Sequence, residues 1–135
     1  MKRLLLIAVL AFVFGAVFDF TTSNNCFASE PVSDARLAIT AKSSSYVGLC
    51  PKKFGFKGTF RIQHPNQATF WFERSDGTST KPDIFSSHMS PKIFMHTWVT
   101  AWTVNKSGNY WIKMHVKSGN THIVSDTVNF SVTCK

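Results

Sequence analysis

The chain has 135 residues, with 44% apolar and 16% charged side chains, which suffices for one domain and is too short for two comfortable cores. It carries 15 Lys and Arg against 7 Asp and Glu, a formal net charge of +8. That balance can serve nucleic acid, anionic lipid or acidic polysaccharide, yet Lys52-Lys53 is the only adjacent basic pair beyond the N-terminal segment. Scattered charge of this kind reads as a solvated basic surface, and no nucleic-acid partner is expected.

Lys2 and Arg3 precede an apolar run from Leu4 to Phe18 that Asp19 ends. A run of this length fits a secretory leader better than a membrane span, which needs roughly twenty residues. Ala28, in Cys26-Phe27-Ala28-Ser29, offers small side chains at the positions a signal peptidase reads. The expected organisation is a signal peptide over 1–28 and one domain over 29–135, secreted or periplasmic, with no membrane span after cleavage. Cys26 lacks the aliphatic and small neighbours that lipidation demands. Cleavage leaves Cys50 and Cys134, and in an exported chain the pair is expected as a disulfide. Free-thiol catalysis is set aside with it.

Beyond the leader the pattern is of period two, broken by Gly, Asn, Ser and Pro. Ala35 to Lys42 reads as a first, modest strand, followed by a Ser43-Ser44-Ser45 break. Phe54, Phe56, Gly58, Phe60 and Ile62 then alternate with Gly55, Lys57, Thr59, Arg61 and Gln63, apolar on one face and polar on the other. After the His64-Pro65-Asn66 turn, Ala68, Phe70 and Phe72 point inward and Thr69, Trp71 and Glu73 outward. Asp83–Ser87 is a weak segment. Lys92 to Val104 is a long strand with Phe94, Trp98 and Trp102 on one face and Ile93, Met95, Val99 and Ala101 on the other; its pattern leaves the buried face open. Tyr110, Ile112, Met114 and Val116 alternate with Trp111, Lys113, His115 and Lys117. Ser118-Gly119-Asn120 is the tightest hairpin signal. The last strand offers Val124, Val128, Phe130 and Val132 inward and ends at Cys134.

About seven strands with turns every 8–12 residues predict an all-β, immunoglobulin-like two-sheet antiparallel sandwich. Cys50-Pro51, the run Phe54-Gly55-Phe56-Lys57-Gly58-Thr59-Phe60, Phe72-Glu73-Arg74-Ser75-Asp76-Gly77, Thr100-Ala101-Trp102, Met114-His115-Val116 and Phe130-Ser131-Val132-Thr133-Cys134 together resemble a set of small secreted bacterial proteins with immunoglobulin-like domains. The resemblance spans most of residues 36–134 and rests on core, turn and cysteine positions. It departs from the pattern at Phe72, where a Trp is expected. It implies the fold and carries over no catalytic residue.

Glu73 and Asp76 are the nearest carboxylate pair in a structured stretch, and a glycosidase needs two carboxylates flanking a sugar. Arg74-Ser75-Asp76-Gly77 is nevertheless ordinary turn chemistry, which outweighs a catalytic pair. His64, His88, His96, His115 and His122 show no spacing that marks two of them as acid/base partners. His88-Met89, Met95-His96 and Met114-His115 mix imidazole with thioether, a soft set that suits copper. Neighbours in a strand face opposite ways, so the last two pairs cannot each ligate from one surface.

In an immunoglobulin-like sandwich the third and sixth strands are neighbours. That places Trp71 and Glu73 beside Trp111, Lys113, His115 and Lys117 on a solvent face. The expected function is an exported, non-enzymatic and cofactor-free module that binds a protein or polysaccharide surface through Trp71, Trp111, Lys113, His115 and Lys117. The alternative is a periplasmic copper-binding sandwich using His88, Met89 and His96. A small secreted hydrolase acting through Glu73 is the third reading.

Overall fold

The computed structural model describes residues 30–63, 66–87 and 93–135. The leader expected over 1–28 lies outside them, as do His64, Pro65, His88 and Met89. Nine strands run in chain order: β1 (Val32–Ile39), β2 (Ser45–Gly48), β3 (Lys52–Gln63), β4 (Gln67–Arg74), β5 (Asp83–Ser86), β6 (Ile93–Val104), β7 (Gly108–Ser118), β8 (Thr121–Val124) and β9 (Val128–Cys134). A small sheet has the order β1-β3-β6. A large sheet has the order β2-β9-β7-β4-β5, with β8 also paired to β7. Among the described residues no helix is long and apolar enough to cross a membrane.

The core lies between the sheets, where period-two alternation turns one side of each strand inward. From β3 it takes Phe54, Phe56, Phe60 and Ile62; from β4, Ala68, Phe70 and Phe72; from β7, Ile112, Met114 and Val116. Phe130 and Val132 of β9 join them. The face of β6 that the sequence leaves open is settled by its register. Phe54 pairs with Trp102 and Phe60 with His96, so even-numbered residues of β6 face the core. Trp102 and Val104 are buried, Phe94 and Trp98 on the same side remain 41% and 38% exposed toward the other end, and Ile93, Met95 and Val99 stand outside.

Three departures from the expected strands have local causes. β1 starts at Val32, because a bulge between Ser33 and Arg36, with Asp34 at φ 53°, breaks the alternation ahead of Ala35. The Ser43–Ser45 break runs straight into β2, which pairs in parallel with β9 from Ser45↔Ser131 to Gly48↔Cys134. The last strand is interrupted at Ser125. Its N–H donates to the Met114 carbonyl and its hydroxyl accepts from the Met114 N–H, so one side chain replaces a ladder carbonyl. The interruption reverses parity: Val124, expected inward, is 45% exposed, and Ile123 packs on the core instead.

Two links tie the layers together. Cys50, just before β3, and Cys134, ending β9, form the expected disulfide with Cα atoms 5.4 Å apart. Arg74 at the end of β4 reaches across to the small sheet, where it donates to the Ala101 carbonyl at 3.2 Å and lies over the Trp102 ring at 5.4 Å. The turn after it follows its sequence: Asp76 accepts from the Thr78 N–H and hydroxyl, and Gly77 takes φ 79°.

Candidate functional site

β7 runs through the large sheet with β4 on one side and β8 and β9 on the other. Its inward residues fill the core, so its odd-numbered residues form the spine of the sheet's outer face. The β4 register sets Thr69 opposite Lys117, Trp71 opposite His115 and Glu73 opposite Lys113. On the other side Trp111 lies opposite Asn129 and Asn109 opposite Ser131. The residues expected together, Trp71, Trp111, Lys113, His115 and Lys117, therefore do share one surface.

Hydrogen bonds order the middle of that surface. Glu73 Oε2 accepts from Lys113 Nζ at 3.1 Å and from His115 Nε2 at 2.7 Å. The Lys113 hydrogen bond first, then that of His115, holds the Glu73 carboxyl below the usual carboxylate range. With Nε2–H directed at a carboxylate, a neutral His115 has a bare Nδ1. That nitrogen lies 3.1 Å from His122 Nε2, which then donates. Only one proton fits between the two rings. The Trp71 ring is 5.0 Å from that of His115, nearly parallel at 5°, and 5.6 Å from that of His122. Lys113 Nζ lies 5.1 Å from the Trp111 ring centre. Both indoles, expected on the solvent face, are half-buried there under neighbouring side chains.

Beyond Trp111 the face opens into a groove of about 310 Å³. Its walls are Ser44, Asn109, Trp111, Asn129 and Ser131, with Tyr110 and Phe130 beneath. Of these only Trp111 is expected from the sequence as a binding residue, because isolated Asn and Ser in strands read as solvent positions. His122 was equally hidden until the hairpin fixed its register. With Ser118 paired to Thr121, Lys117 falls opposite His122, which brings that ring diagonally against His115.

The other residues singled out by sequence lie elsewhere. Asp76 is engaged by Thr78 within its turn, and Glu73 by Lys113 and His115; a glycosidase acid instead needs a raised pKa and a partner across a sugar. His96 stands on the core face of β6, stacked on Phe85 with ring centres 3.9 Å apart and close to Phe60 and Phe70. Its Nε2 is buried without a partner among the described residues, and burial pushes its pKa down. His88 and Met89, its companions in the copper reading, lie outside the described residues. Met95 and His96 do point to opposite sides of β6, and Met114 is core while His115 is on the outer face. Among the described residues no three His, Cys, Asp or Glu side chains come together as a metal-holding group.

No protein-family model matches the chain, and no curated protein sequence matches it significantly. Among solved structures it is similar to the CARDB domain of the PF1109 protein from Pyrococcus furiosus, determined in complex with di-metal ions. The two share 21% identity over 78% of this chain and 98% of that one, with a TM-score of 0.54. It is also similar to the PKD domain of an M14-like peptidase from a Thermoplasmatales archaeon, at 16% identity over 75% and 96% of the two chains and a TM-score of 0.46. Likeness at this identity shows the fold alone. The two packed sheets, the crossover order of their strands and the CARDB neighbour make this chain an all-β, immunoglobulin-like sandwich.

Proposed function

We propose that the chain is an exported, non-enzymatic, cofactor-free module that docks a protein or carbohydrate partner on the outer face of its large sheet. One observation carries the reading. Trp71 and Trp111 stand on the solvent side of β4 and β7, where a half-buried strand should be polar, and Lys113, His115, Lys117 and His122 surround them. Large aromatic rings among cations on an outer face are what recognition uses, because they bring contact area with little rotamer entropy to lose. The Cys50–Cys134 disulfide supports an oxidising, extracytoplasmic destination.

The test is retention of the exported protein on cell-envelope and extracellular material from its source, compared with Trp71→Ala and Trp111→Ala. Both variants should be retained at least about tenfold less, the loss typical of a central aromatic anchor. Equal retention of folded wild type and variants would remove the face from consideration.

A further inference from the structure

The outer face changes character along β7. Toward the C-terminal end it is basic, with Lys113, His115 and Lys117, and Glu73 and His122 beside them. Toward the N-terminal end lies the groove of Ser44, Asn109, Trp111, Asn129 and Ser131, which has no charged side chain on a chain of net charge +8. The register sets Trp111 beside Asn129 and Asn109 beside Ser131. An indole, two amides and a hydroxyl thus occupy the corners of a patch about 5 Å across the strands and about 7 Å along them.

We propose that this groove is a subsite for a neutral saccharide, with Trp111 as stacking surface and Asn109 and Asn129 as hydrogen-bonding partners of the ring hydroxyls. It rests on the outer face being the docking surface, and it names the ligand class taken at one end of it.

A pyranose presents C–H bonds on one side and a fringe of hydroxyls. The C–H bonds carry slight positive charge and meet the negative face of an indole. Each hydroxyl both donates and accepts, and an amide has one acceptor oxygen and two N–H donors, so a single Asn can serve two adjacent hydroxyls. The side chains of Asn109 and Asn129 are exposed and have no partner among the described residues, so contact with a sugar breaks no internal hydrogen bond. Ser131 is held in place by its hydroxyl bond to Ser45 at 3.0 Å. The groove is shallow and open, so a sugar in it would keep one side in solvent.

Other ligand classes fit less well. A phosphate, sulfate or carboxylate needs a cation on the wall. Lys113, whose ammonium lies over the Trp111 ring, is held on Glu73 at 3.1 Å. A protein hot spot needs an apolar pocket, but Trp111 is the groove's single outward apolar side chain: Phe130 is buried and the Tyr110 ring packs against it in the core.

The experiment is a titration of the oxidised, isotope-labelled exported chain with neutral hexasaccharides of glucose and N-acetylglucosamine, followed by amide and indole N–H signals. At least one should bind with Kd between about 0.1 and 10 mM and shift the Trp111 indole and the Asn109 and Asn129 side-chain amides. Trp111→Ala should weaken it at least about tenfold and Asn129→Ala about two- to tenfold. Affinity should change less than about twofold between 50 and 300 mM salt, because no ion pair is made. The spectra themselves report whether each variant is folded, and Asn129 is a surface residue. Absence of shifts with every neutral hexasaccharide at about 10 mM overturns the assignment. So does binding confined to a sulfated hexasaccharide and abolished by salt. If Trp71→Ala still abolishes retention on envelope material in either of those cases, the docking face stands and only its ligand class falls.

Discussion

Gly58 sits in the middle of β3, on the inward side and opposite Trp98 of β6. A Cβ built there meets Met114 Sδ at 2.5 Å and two atoms of the Phe72 ring at 3.4 Å. Its backbone is extended, so the absence of a side chain serves space and not conformation. A thioether is often a flexible neighbour, but Met114 is fully buried and Phe72 nearly so. Neither has solvent to move into. Forcing one methyl into such a core costs about 1–3 kcal/mol, and the lower chain entropy of Ala in the unfolded state offsets about 0.4–1 of it. The 2.5 Å approach puts the cost in the upper half of that range, so Gly58→Ala should destabilise by about 1–2.5 kcal/mol, a fall in Tm of roughly 5–15 °C for a domain of this size. Met114→Ala alone should cost about 2–5 kcal/mol through the cavity it leaves. In the double variant the new methyl occupies part of that cavity, so the combined loss should fall short of the sum by about 1 kcal/mol or more. Urea unfolding of the four proteins measures all three terms. A neutral Gly58→Ala, or strict additivity, would refute the account of Gly58 as the space that lets β7 approach β3.

Two further predictions concern stability and pH. The Cys50–Cys134 bridge spans 84 residues of sequence, which corresponds to about 4.5 kcal/mol in the chain-entropy model; Cys50→Ala with Cys134→Ala should lose most of it. A urea-derived loss below about 1 kcal/mol contradicts that. Burial of His96 pushes its pKa down, opposed only in part by Asp83, while the unfolded imidazole titrates near 6.5. The unfolded state therefore binds the proton first, so this contribution is complete above about pH 6.5 and is lost as pH falls below it. His96→Leu should flatten the fall in Tm between about pH 6.5 and 5 and leave the fall below about pH 4.5, where Glu73 loses its charge. A slope unchanged between pH 6.5 and 5 rules out His96 as its source.

Much of the fold was legible because alternation survives wherever a strand has one wet and one dry face. β3, β4 and β7 are read residue by residue, and their inward sets form the core. What escaped the sequence are the places where backbone geometry shifts parity without a compositional signal. The bulge at Asp34 and the substitution of the Ser125 hydroxyl for a ladder carbonyl each displace one residue, and each moves neighbouring side chains to the other face. β6 was ambiguous for a different reason. It is an edge strand of the small sheet and is apolar on both sides, so only its pairing with β3 says which side is core.

The outer face was legible to the extent that strand adjacency was. Pairing the third and sixth sequence strands was enough to bring Trp71 to His115 and Glu73 to Lys113. Side-chain contact is a further level, and there the two indoles part. Trp71, the residue most conspicuous in the sequence, is flanked by the His115 and His122 rings, and His115 is itself fixed by Glu73. That packing orders the basic end of the face. Trp111 has one cation beside it, held on Glu73, and borders an open groove of uncharged donors and acceptors. A ligand that stacks needs ring surface left open, and Trp111 has one side chain, Lys113, over its ring where Trp71 has two stacked rings. Loss of Trp71 should therefore disturb the His115–His122 pair together with docking at the basic end, whereas loss of Trp111 removes the surface on which a sugar would rest.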